Sequence, residues 1–389
     1  MSSIDKTTDR AKRIGLLTCF LDNCGACLQA YALQSIIQSL GYDVQIIKYT
    51  EPWGYYDANI KNSSKLVDML RCIKNPDFRK TYYTGQYRVT AFNKFRKKYL
   101  NFSLQEYKMY SQLQNSTHEC DAYVCGSDQI WNPTFYSKCN PAYYLAFVED
   151  NIPKIAYAPS IGINDIPTQF LDDFKQYISR FDSLSSREQT GVEIIEKYTH
   201  RKATLVLDPT LLLPGESWRR LIPKRRPITK KRYLLCYLFA QHEYYDLVIE
   251  RLSKQLQCEV VIIPVIDKEY IVKHHTPLGV GPIEFINLIE SADFILTDSF
   301  HGTAFSLLFK KSFYCLKRDN DVDCYSMNSR LYNILNLVNM KDRLLTQDEA
   351  LDTNYSRITD DAYCAISDRI EVLRENSITY LKNALGDHK

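Results

Sequence analysis

Residues 14–48, IGLLTCFLDNCGACLQAYALQSIIQSLGYDVQIIK, decide the fold class of the N-terminal half. The short apolar run Ile14–Phe20 is typical of a buried parallel strand. Apolar residues at helical spacing then predict a helix over Cys27–Leu40 that stops at Gly41, and Val44–Lys48 predicts a second strand. This order of strand, helix and strand predicts a Rossmann-like sheet with a polar turn after its first strand.

The same alternation continues through the chain. Further strands of the N-terminal half are predicted at Ala122–Cys125, Lys154–Pro159 and Ser183–Ser186, with an amphipathic helix over Phe92–Tyr99. We therefore predict an α/β protein with two Rossmann-like lobes and a cleft between them. The strands and helices of the second half are predicted at Tyr233–Phe239, Tyr244–Leu256, Val260–Pro264, Pro282–Ser291, Phe294–Thr297, Gly302–Phe309, Phe313–Leu316, Leu331–Val338 and Ala362–Leu385.

A basic stretch separates the two halves. Residues 214–232, PGESWRRLIPKRRPITKKR, contain three prolines and eight Lys or Arg, which is typical of an interdomain linker. Such a run usually forms a solvated connector, and contact with anionic lipid is the other interpretation. We assign residues 1–213 to the first lobe, 233–345 to the second lobe and 346–389 to a C-terminal helical segment.

Composition and charge exclude several classes of protein. The chain has 389 residues, 49 Lys or Arg and 46 Asp or Glu, so its net charge is +3. A dedicated nucleic-acid binder usually has a strong basic excess, so we expect no nucleic-acid partner. No secretory signal precedes Ile14, and no apolar run approaches the ~20 residues that span a bilayer. We expect a cytoplasmic protein with at most peripheral contact with the inner membrane face.

The strongest candidate site lies in residues 292–306, ADFILTDSFHGTAFS. An apolar strand ends at Thr297, and His301 and Gly302 open a helix of small residues. The free N–H groups at such a helix start favour an anion, and we expect Gly302 to let a ligand approach the backbone. A His at this place is a candidate acid or base, and the alternative is a structural His beside a helix cap.

A second candidate site follows another strand, in Cys125–Asn132, CGSDQIWN. Asp128 is a candidate general base or a ligand of a sugar hydroxyl. The Trp131 ring is a candidate platform for stacking on a sugar, and the alternative is a polar turn with a core Trp.

Three arginines are candidate anion ligands. Arg187 follows a predicted strand at the cleft, where its guanidinium can hold a carboxylate or a phosphate, and the alternative is an ion pair with Glu188. Arg318 and Arg330 raise the same question, although Arg330 also fits a role at the start of its helix.

The cysteines give weak signals for metal or redox chemistry. Cys24 and Cys27 form a CxxC pair, Cys19 lies five residues before it, and a second CxxC is missing. His274 and His275 are an isolated pair. We therefore predict no metal site. The sequence also lacks the GxGxxG, Walker A and GxSxG motifs of dinucleotide, P-loop and serine-hydrolase sites.

The ordered set of motifs resembles the bacterial polysaccharide pyruvyl transferase family between about residue 13 and about residue 345. The order and spacing of the motifs make the resemblance specific. The motifs are NxGxxLQAYALQ (23–34), CGSDQIWN (125–132), AYAPSIG (156–162), SREQTG (186–191), LDPTLL (207–212), GPxEF (281–285) and TDSFHGTAFS (297–306).

The resemblance implies two lobes like those of GT-B glycosyltransferases, with the acceptor on the first and the donor on the second. Family members move the pyruvyl group of phosphoenolpyruvate onto two hydroxyls of one sugar, forming a cyclic ketal and phosphate without a cofactor. The histidine of the family motif corresponds to His301, our candidate acid, and Asp128 is our candidate base. Our candidate donor ligands are Arg187, Ser299, Gly302, Thr303 and Arg318, and our candidate acceptor ligands are Asn23, Trp131 and Asn132.

One position departs from the family pattern. Characterised relatives have an Arg two residues before the His, where this chain has Ser299. We expect Arg187 or Arg318 to supply the missing charge. The expected acceptor is a sugar or a lipid-linked oligosaccharide.

Two alternative functions remain open. A GT-B glycosyltransferase that uses a nucleotide sugar would need an acidic residue for the ribose, and Glu284 is the candidate. A redox module linked to coenzyme F420 would depend on the CxxC pair.

Overall fold

The computed structural model describes residues 11–51, 65–116, 119–223, 231–265, 276–321 and 326–386. In the first lobe, five strands form a parallel sheet in the order β3-β2-β1-β4-β5. These strands are β1 (Arg13–Leu17), β2 (Asp43–Tyr49), β3 (Phe102–Tyr107), β4 (Ala122–Cys125) and β5 (Lys154–Ala156). A short parallel pair, β6 (Ser185–Ser186) and β7 (Thr204–Leu205), follows them.

The second lobe also contains a five-stranded parallel sheet, with a different strand order, β12-β11-β10-β8-β9. In both sheets the first strand of the lobe is internal, which is the arrangement of a Rossmann-like fold. The prediction of two Rossmann-like lobes is therefore confirmed. The strands are β8 (Tyr233–Tyr237), β9 (Glu259–Ile262), β10 (Phe294–Thr297), β11 (Phe313–Leu316) and β12 (Leu344–Leu345).

Helices connect and cover the strands. None of the helices within the described ranges is both long and apolar enough to cross a membrane. Their bounds are α1 (Cys24–Ser39), α2 (Lys65–Lys74), α3 (Pro76–Tyr99), α4 (Tyr110–Gln114), α5 (Leu171–Ile178), α6 (Gln189–Thr199), α7 (Pro209–Leu212), α8 (Gly215–Arg219), α9 (Glu243–Leu256), α10 (Pro282–Ser291), α11 (Phe300–Leu308), α12 (Ser329–Leu337), α13 (Gln347–Asp352) and α14 (Asp360–Gly386).

The predicted elements differ from the observed ones mainly at their ends. Strand β5 ends at Ala156 rather than Pro159, because Ala158 has a left-handed backbone with φ of 58° that a strand cannot continue. The helix predicted over Phe92–Tyr99 is the last part of α3, whose apolar side is interrupted by Tyr, Arg and Lys.

The C-terminal helix α14 returns to the first lobe. The Oη of Tyr380 donates to the carbonyl of Ala156 at 2.9 Å, and the Nε of Arg374 donates to the carbonyl of Leu211 at 2.8 Å. The Oγ of Ser377 accepts from the N–H of Leu207 at 2.9 Å. The segment assigned to 346–389 thus links the second lobe to the first.

The start of the predicted linker is packed rather than solvated. Trp218 of α8 is fully buried, and its indole N–H donates to the carbonyl of Thr210 at 3.1 Å. Residues 224–230, the most basic part of the linker, lie outside the described residues. The domain boundaries at 213, 232 and 345 stay predictions.

Candidate active site

His301 lies where the two lobes meet. The helix α11 begins after β10, and the Oγ of Ser299 caps it by accepting from the N–H of Gly302 at 3.4 Å. The His301 residue is 6% exposed. Its ring lies against Gly25 in the first turn of α1, where an added Cβ would be 2.0 Å from His301 Nδ1. The N-terminal ends of α1 and α11, each with free N–H groups, therefore meet at this imidazole.

Burial and the neighbouring charges shift the pKa of His301 in opposite directions. Burial lowers the pKa of the imidazole below its ordinary value, and the positive charges of Arg187 and Arg330 act in the same direction. The carboxylates of Asp208 and Asp128 raise it, and Asp208 Oδ1 lies 3.9 Å from His301 Nε2. Within the described part of the chain, this buried Nε2 has no hydrogen-bond partner. It is therefore available to a ligand.

Arg187 is the centre of a buried cluster of charges rather than a surface residue. It is 1% exposed, and its guanidinium lies over the Phe300 ring at 4.4 Å. Nη1 is 2.8 Å from Asp208 Oδ2, and Nε is 3.2 Å from Glu188 Oε1. Nη2 is 3.6 Å from Asp128 Oδ1, too far for a hydrogen bond, and lacks any partner among the residues described. After Nη1 and Nε have paired with carboxylates, the Nη2 of Arg187 is therefore available to donate to a ligand.

The acids that hold Arg187 include two that the sequence analysis did not assign to the site. The Asp208 carboxylate accepts from Ser127 Oγ at 2.8 Å and from Thr210 N at 2.9 Å. Burial opposes its ionisation, but the charge of Arg187 holds the pKa of Asp208 below its ordinary value. The sequence signal that could have identified Asp208 is its place after a short strand, in the motif LDPTLL.

Arg318 and Arg330 bring two more cations to the same place. The Nη2 of Arg318 donates to the Asp298 carbonyl at 2.9 Å, whereas its buried Nε has no partner in the described ranges. The Nε of Arg330 donates to the Met327 carbonyl at 3.2 Å, and no described carboxylate lies within 4.0 Å of its guanidinium. Burial, followed by the charges of Arg318 and Arg187, lowers the pKa of Arg330 to about 10. The cluster therefore favours an added anion.

Asp128 lies at the edge of this cluster in a strained backbone. Its φ is 74°, a left-handed conformation that is uncommon for Asp, and its Oδ1 accepts from the N–H of Gln129 at 2.9 Å. The residue is 9% exposed, and its carboxylate interacts electrostatically with both Arg187 and His301. The structure brings Asp128 together with the other candidate catalytic residue.

Two predicted acceptor ligands are buried in this structure, and their role as ligands stays a prediction. Trp131 is 1% exposed, its ring stacks on that of Tyr144 at 5.2 Å, and it offers no face to a sugar. Asn132 is also 1% exposed, and its Oδ1 accepts from the N–H of Thr134 at 3.0 Å. Both residues build the turn after β4, which was the alternative interpretation.

Two predicted donor ligands have other roles. A Cβ on Gly302 would lie 2.3 Å from Thr297 Oγ1, so a side chain and not a ligand fills the space that this glycine leaves. Thr303 is fully buried, and its hydroxyl donates to the Ser299 carbonyl at 3.0 Å. The role of Thr303 as a donor ligand stays a prediction, and Ser299 is 5% exposed at the helix start.

The remaining candidates lie at the start of α1. Asn23 is half-buried and caps α1 through an Oδ1 that accepts from the N–H of Ala26 at 3.2 Å. Cys24 and Cys27 are buried, and burial raises the pKa of Cys24 to about 12 and that of Cys27 further. Such thiols are poor nucleophiles and poor redox groups. His274 and His275 lie outside the described residues.

Comparison with solved structures supports the fold. The S. aureus protein MnaA, solved with UDP, is 11% identical with a TM-score of 0.52, over 96% of this chain and 97% of that one. A UDP-N-acetylglucosamine 2-epimerase is 12% identical with a TM-score of 0.51, over 97% of this chain and 96% of the other. At such identities the likeness concerns the fold alone, which is the GT-B-like pair of lobes.

Comparison of sequences identifies the family. No individually curated protein sequence matches the chain. The family profile described as polysaccharide pyruvyl transferase matches residues 23–320, which include every predicted catalytic residue and all of the motifs quoted above. With this match over most of the sequence, on a two-lobed fold, the chain belongs to the polysaccharide pyruvyl transferase family.

Proposed function

We propose that this chain transfers the pyruvyl group of phosphoenolpyruvate onto two hydroxyls of one sugar, forming a cyclic ketal. One observation carries the proposal. Arg187 and Arg330 act electrostatically on His301 at the start of α11, and Arg318 acts on Arg330. The buried Arg187 Nη2, Arg318 Nε and His301 Nε2 lack hydrogen-bond partners among the described residues. A small ligand with several negative charges fits such a site.

Phosphoenolpyruvate has the charges that this cluster lacks. Its carboxylate and phosphate would accept from Arg187 Nη2 and Arg318 Nε, and Arg330 would supply the charge that relatives place at the position of Ser299. The Ser299 hydroxyl and the first N–H groups of α11 would complete the phosphate site. Binding of the anion would relieve the repulsion that lowers the pKa of Arg330.

The reaction needs one acid and one base. The proton of His301 would go to the methylene carbon of phosphoenolpyruvate, which becomes a methyl group. The first sugar hydroxyl would add to the adjacent carbon, and its proton would leave to a base, for which Asp128 is our candidate. The second hydroxyl would displace phosphate, and its proton would leave with the phosphate. Return of the proton from Asp128 to His301 through solvent would reset both groups. In the net reaction one hydroxyl proton is thus taken up by the methyl group and the other by phosphate, with no change of oxidation state.

The acceptor would enter from the first lobe. With Trp131 and Asn132 buried, Asn23 is the most accessible predicted acceptor ligand. Its Nδ2 has no partner among the residues that the structure describes, so it would donate to a sugar hydroxyl without giving up the cap of α1. The acceptor is a sugar or a lipid-linked oligosaccharide of a surface or capsular polysaccharide. A cytoplasmic place of action fits the use of phosphoenolpyruvate.

Phosphate release tests the proposal. Purified protein is incubated with phosphoenolpyruvate and a panel of sugars and lipid-linked oligosaccharides, and we expect phosphate together with a product heavier than the acceptor by one ketal-bound pyruvyl group. Release of phosphate with free pyruvate in every reaction would instead show hydrolysis. The His301→Asn variant is the control for contaminating phosphatase.

The nucleotide-sugar glycosyltransferase is the second candidate, favoured by the fold of the neighbours. Its predicted ribose ligand, Glu284, is exposed, and its Oε2 accepts from the N–H of Gly281 at 3.1 Å as part of a helix cap. Thermal shift measurements separate the two functions. Stabilisation by phosphoenolpyruvate alone supports pyruvyl transfer, and stabilisation by a uridine or guanosine diphosphate alone supports glycosyl transfer.

A further inference from the structure

A helical hairpin in the first lobe has a larger net positive charge than the whole protein. Residues 71–99, the end of α2 and the whole of α3, contain nine Lys or Arg and one acid, a net charge of +8 in a chain whose total is +3. The rest of the protein is therefore net negative. We call residues 71–99 the basic hairpin.

One face of α3 joins this charge to exposed aromatic rings. Arg79, Tyr83, Tyr87, Lys94 and Lys97 are all exposed and recur at spacings of four, four, seven and three residues, which places them on one side of the helix. Tyr83 is 45% exposed and Tyr87 is 53% exposed. From Arg79 to Lys97 this row, which we call the tyrosine stripe, extends about 27 Å at the rise of an α-helix.

The opposite side of α3 is fixed to the protein. Phe92 and Phe95, on that side, are buried in the core. On the stripe itself, Tyr87 touches the second lobe at Gly279, where an added Cβ would lie 2.5 Å from the Cβ of Tyr87, yet Tyr87 stays half exposed. The guanidinium of Arg88 donates to the carbonyl of Asp22 at 2.8 Å and to that of Pro264 at 3.1 Å. Asp22 follows β1 and Pro264 follows β9, so α3 lies beside the carboxyl ends of strands from both sheets, at the mouth of the cleft. The tyrosine stripe is on the outward side of α3.

We propose that the basic hairpin docks the protein on the surface of a membrane that contains anionic lipid. Lys and Arg at both ends of the tyrosine stripe complement negative headgroups, and the phenol rings between them suit the interface, where one end of the side chain is apolar and the other is wet. Ile73, 76% exposed, and Val89, 46% exposed, add aliphatic surface to the hairpin. Aliphatic side chains gain free energy in lipid but little on a nucleic acid or a glycan, so lipid is the favoured partner.

The docking surface goes beyond the proposed reaction and does not depend on it. A hairpin at the cleft mouth would hold the cleft near the membrane, where a lipid-linked acceptor is found. The residues of the tyrosine stripe take no part in the His301 site, so a variant in the stripe leaves the chemistry with small soluble substrates unchanged.

Vesicle sedimentation of the full chain tests the proposal. The probes are phosphatidylcholine vesicles with and without phosphatidylglycerol, at low and at high salt. The main variant is Arg79→Glu, Lys94→Glu and Lys97→Glu together. The matched control is Lys175→Glu, Lys202→Glu and Lys382→Glu, which makes the same change of charge at exposed lysines elsewhere. A third variant, Tyr83→Ser with Tyr87→Ser, keeps the charge and removes the rings.

We expect the wild type to bind the phosphatidylglycerol vesicles and to be released by high salt. Each basic residue near an anionic surface increases partitioning onto the vesicles about fivefold. The triple variant in the stripe should therefore bind roughly 100-fold more weakly than the wild type. The control triple variant should bind much more tightly than the variant in the stripe. The tyrosine variant should lose part of the binding at unchanged charge. Failure of the wild type to sediment, equal loss in both triple variants, or binding of an acidic polysaccharide or RNA in place of vesicles would overturn the proposal.

Discussion

Gly25 in the first lobe lies directly against the imidazole of His301 in the second, so close that an added Cβ would be 2.0 Å from Nδ1 and 2.3 Å from Cγ. A side chain at position 25 and the observed position of His301 therefore exclude each other. The contact explains why the first turn of α1 contains a glycine, which is otherwise a poor helix former. It also sets the distance between the two helix ends that border the candidate site.

The first prediction follows from this contact. In Gly25→Ala, the new methyl group must displace the imidazole or part the lobes, and a misplacement of about 1 Å costs about 100-fold in turnover. We expect such a loss in the assay of phosphate release. The matched control is Gly85→Ala in α3, where a Cβ meets nothing within 4 Å. Gly85→Ala should keep full activity and gain about 0.5–1 kcal/mol of stability. An equally active Gly25→Ala would contradict the assigned position of His301.

The second prediction concerns His301 as the acid. His301→Asn should lower kcat by roughly two or more orders of magnitude, the usual effect of removing a positioned acid, with little change in melting temperature. The control is His200→Asn, an exposed His with φ of 54°, a conformation that Asn tolerates. Single-turnover kinetics distinguish a slow chemical step from weak binding. Full activity of a folded His301→Asn would reject the role.

The third prediction separates two arginines of the cluster. Arg330 forms no ion pair within 4.0 Å in the described ranges and is repelled by Arg318 and Arg187. Arg330→Ala should therefore keep or raise the melting temperature of the free protein. It should also raise the KM for phosphoenolpyruvate about 10- to 100-fold, the loss expected for a hydrogen bond to a charged group. An unchanged KM would place the donor elsewhere.

Arg187 should behave in the opposite way, and this is the fourth prediction. Its removal leaves the carboxylates of Asp208 and Glu188 buried without their partner, at a cost of about 3–5 kcal/mol. Arg187→Ala should therefore lower the melting temperature strongly, in contrast with Arg330→Ala, and should also lose donor affinity. Equal melting temperatures of the two variants would contradict the described charge cluster.

The fifth prediction is a pH dependence. The Asp208 carboxylate raises the pKa of His301, against the effect of burial, so Asp208→Asn should lower that pKa further. If protonated His301 is the acid, kcat/KM falls as pH rises through the pKa of His301 in the free enzyme. The descending limb of the profile should therefore move to lower pH in Asp208→Asn and stay in place in the exposed control Asp172→Asn. An unmoved limb would show that Asp208 acts on Arg187 alone.

Local sequence determined many of the elements, although not β3 or α2, and it determined the principal catalytic candidate. Strands such as Phe294–Thr297 and helices such as Pro282–Ser291 were predicted with their observed bounds, because apolar periodicity and caps act within a few residues. For the same reason, His301 could be placed at a helix start after a strand. Motif order along the chain was also enough to recognise the family that the profile match confirms.

Tertiary structure decided which polar residues face the cleft. Trp131 and Asn132 looked like ligands, but contacts with Tyr144 and Thr134 place them in the core. Asp208 had no assigned role in the sequence, but it follows β7 and lies against Arg187 and His301. Burial, followed by the charges of Arg318 and of Arg187, lowers the pKa of Arg330, and Arg187 lies far away in sequence. Burial and charge coupling arise between segments distant along the chain, so the sequence of one segment cannot fix them, whereas its helix or strand depends mainly on its own residues.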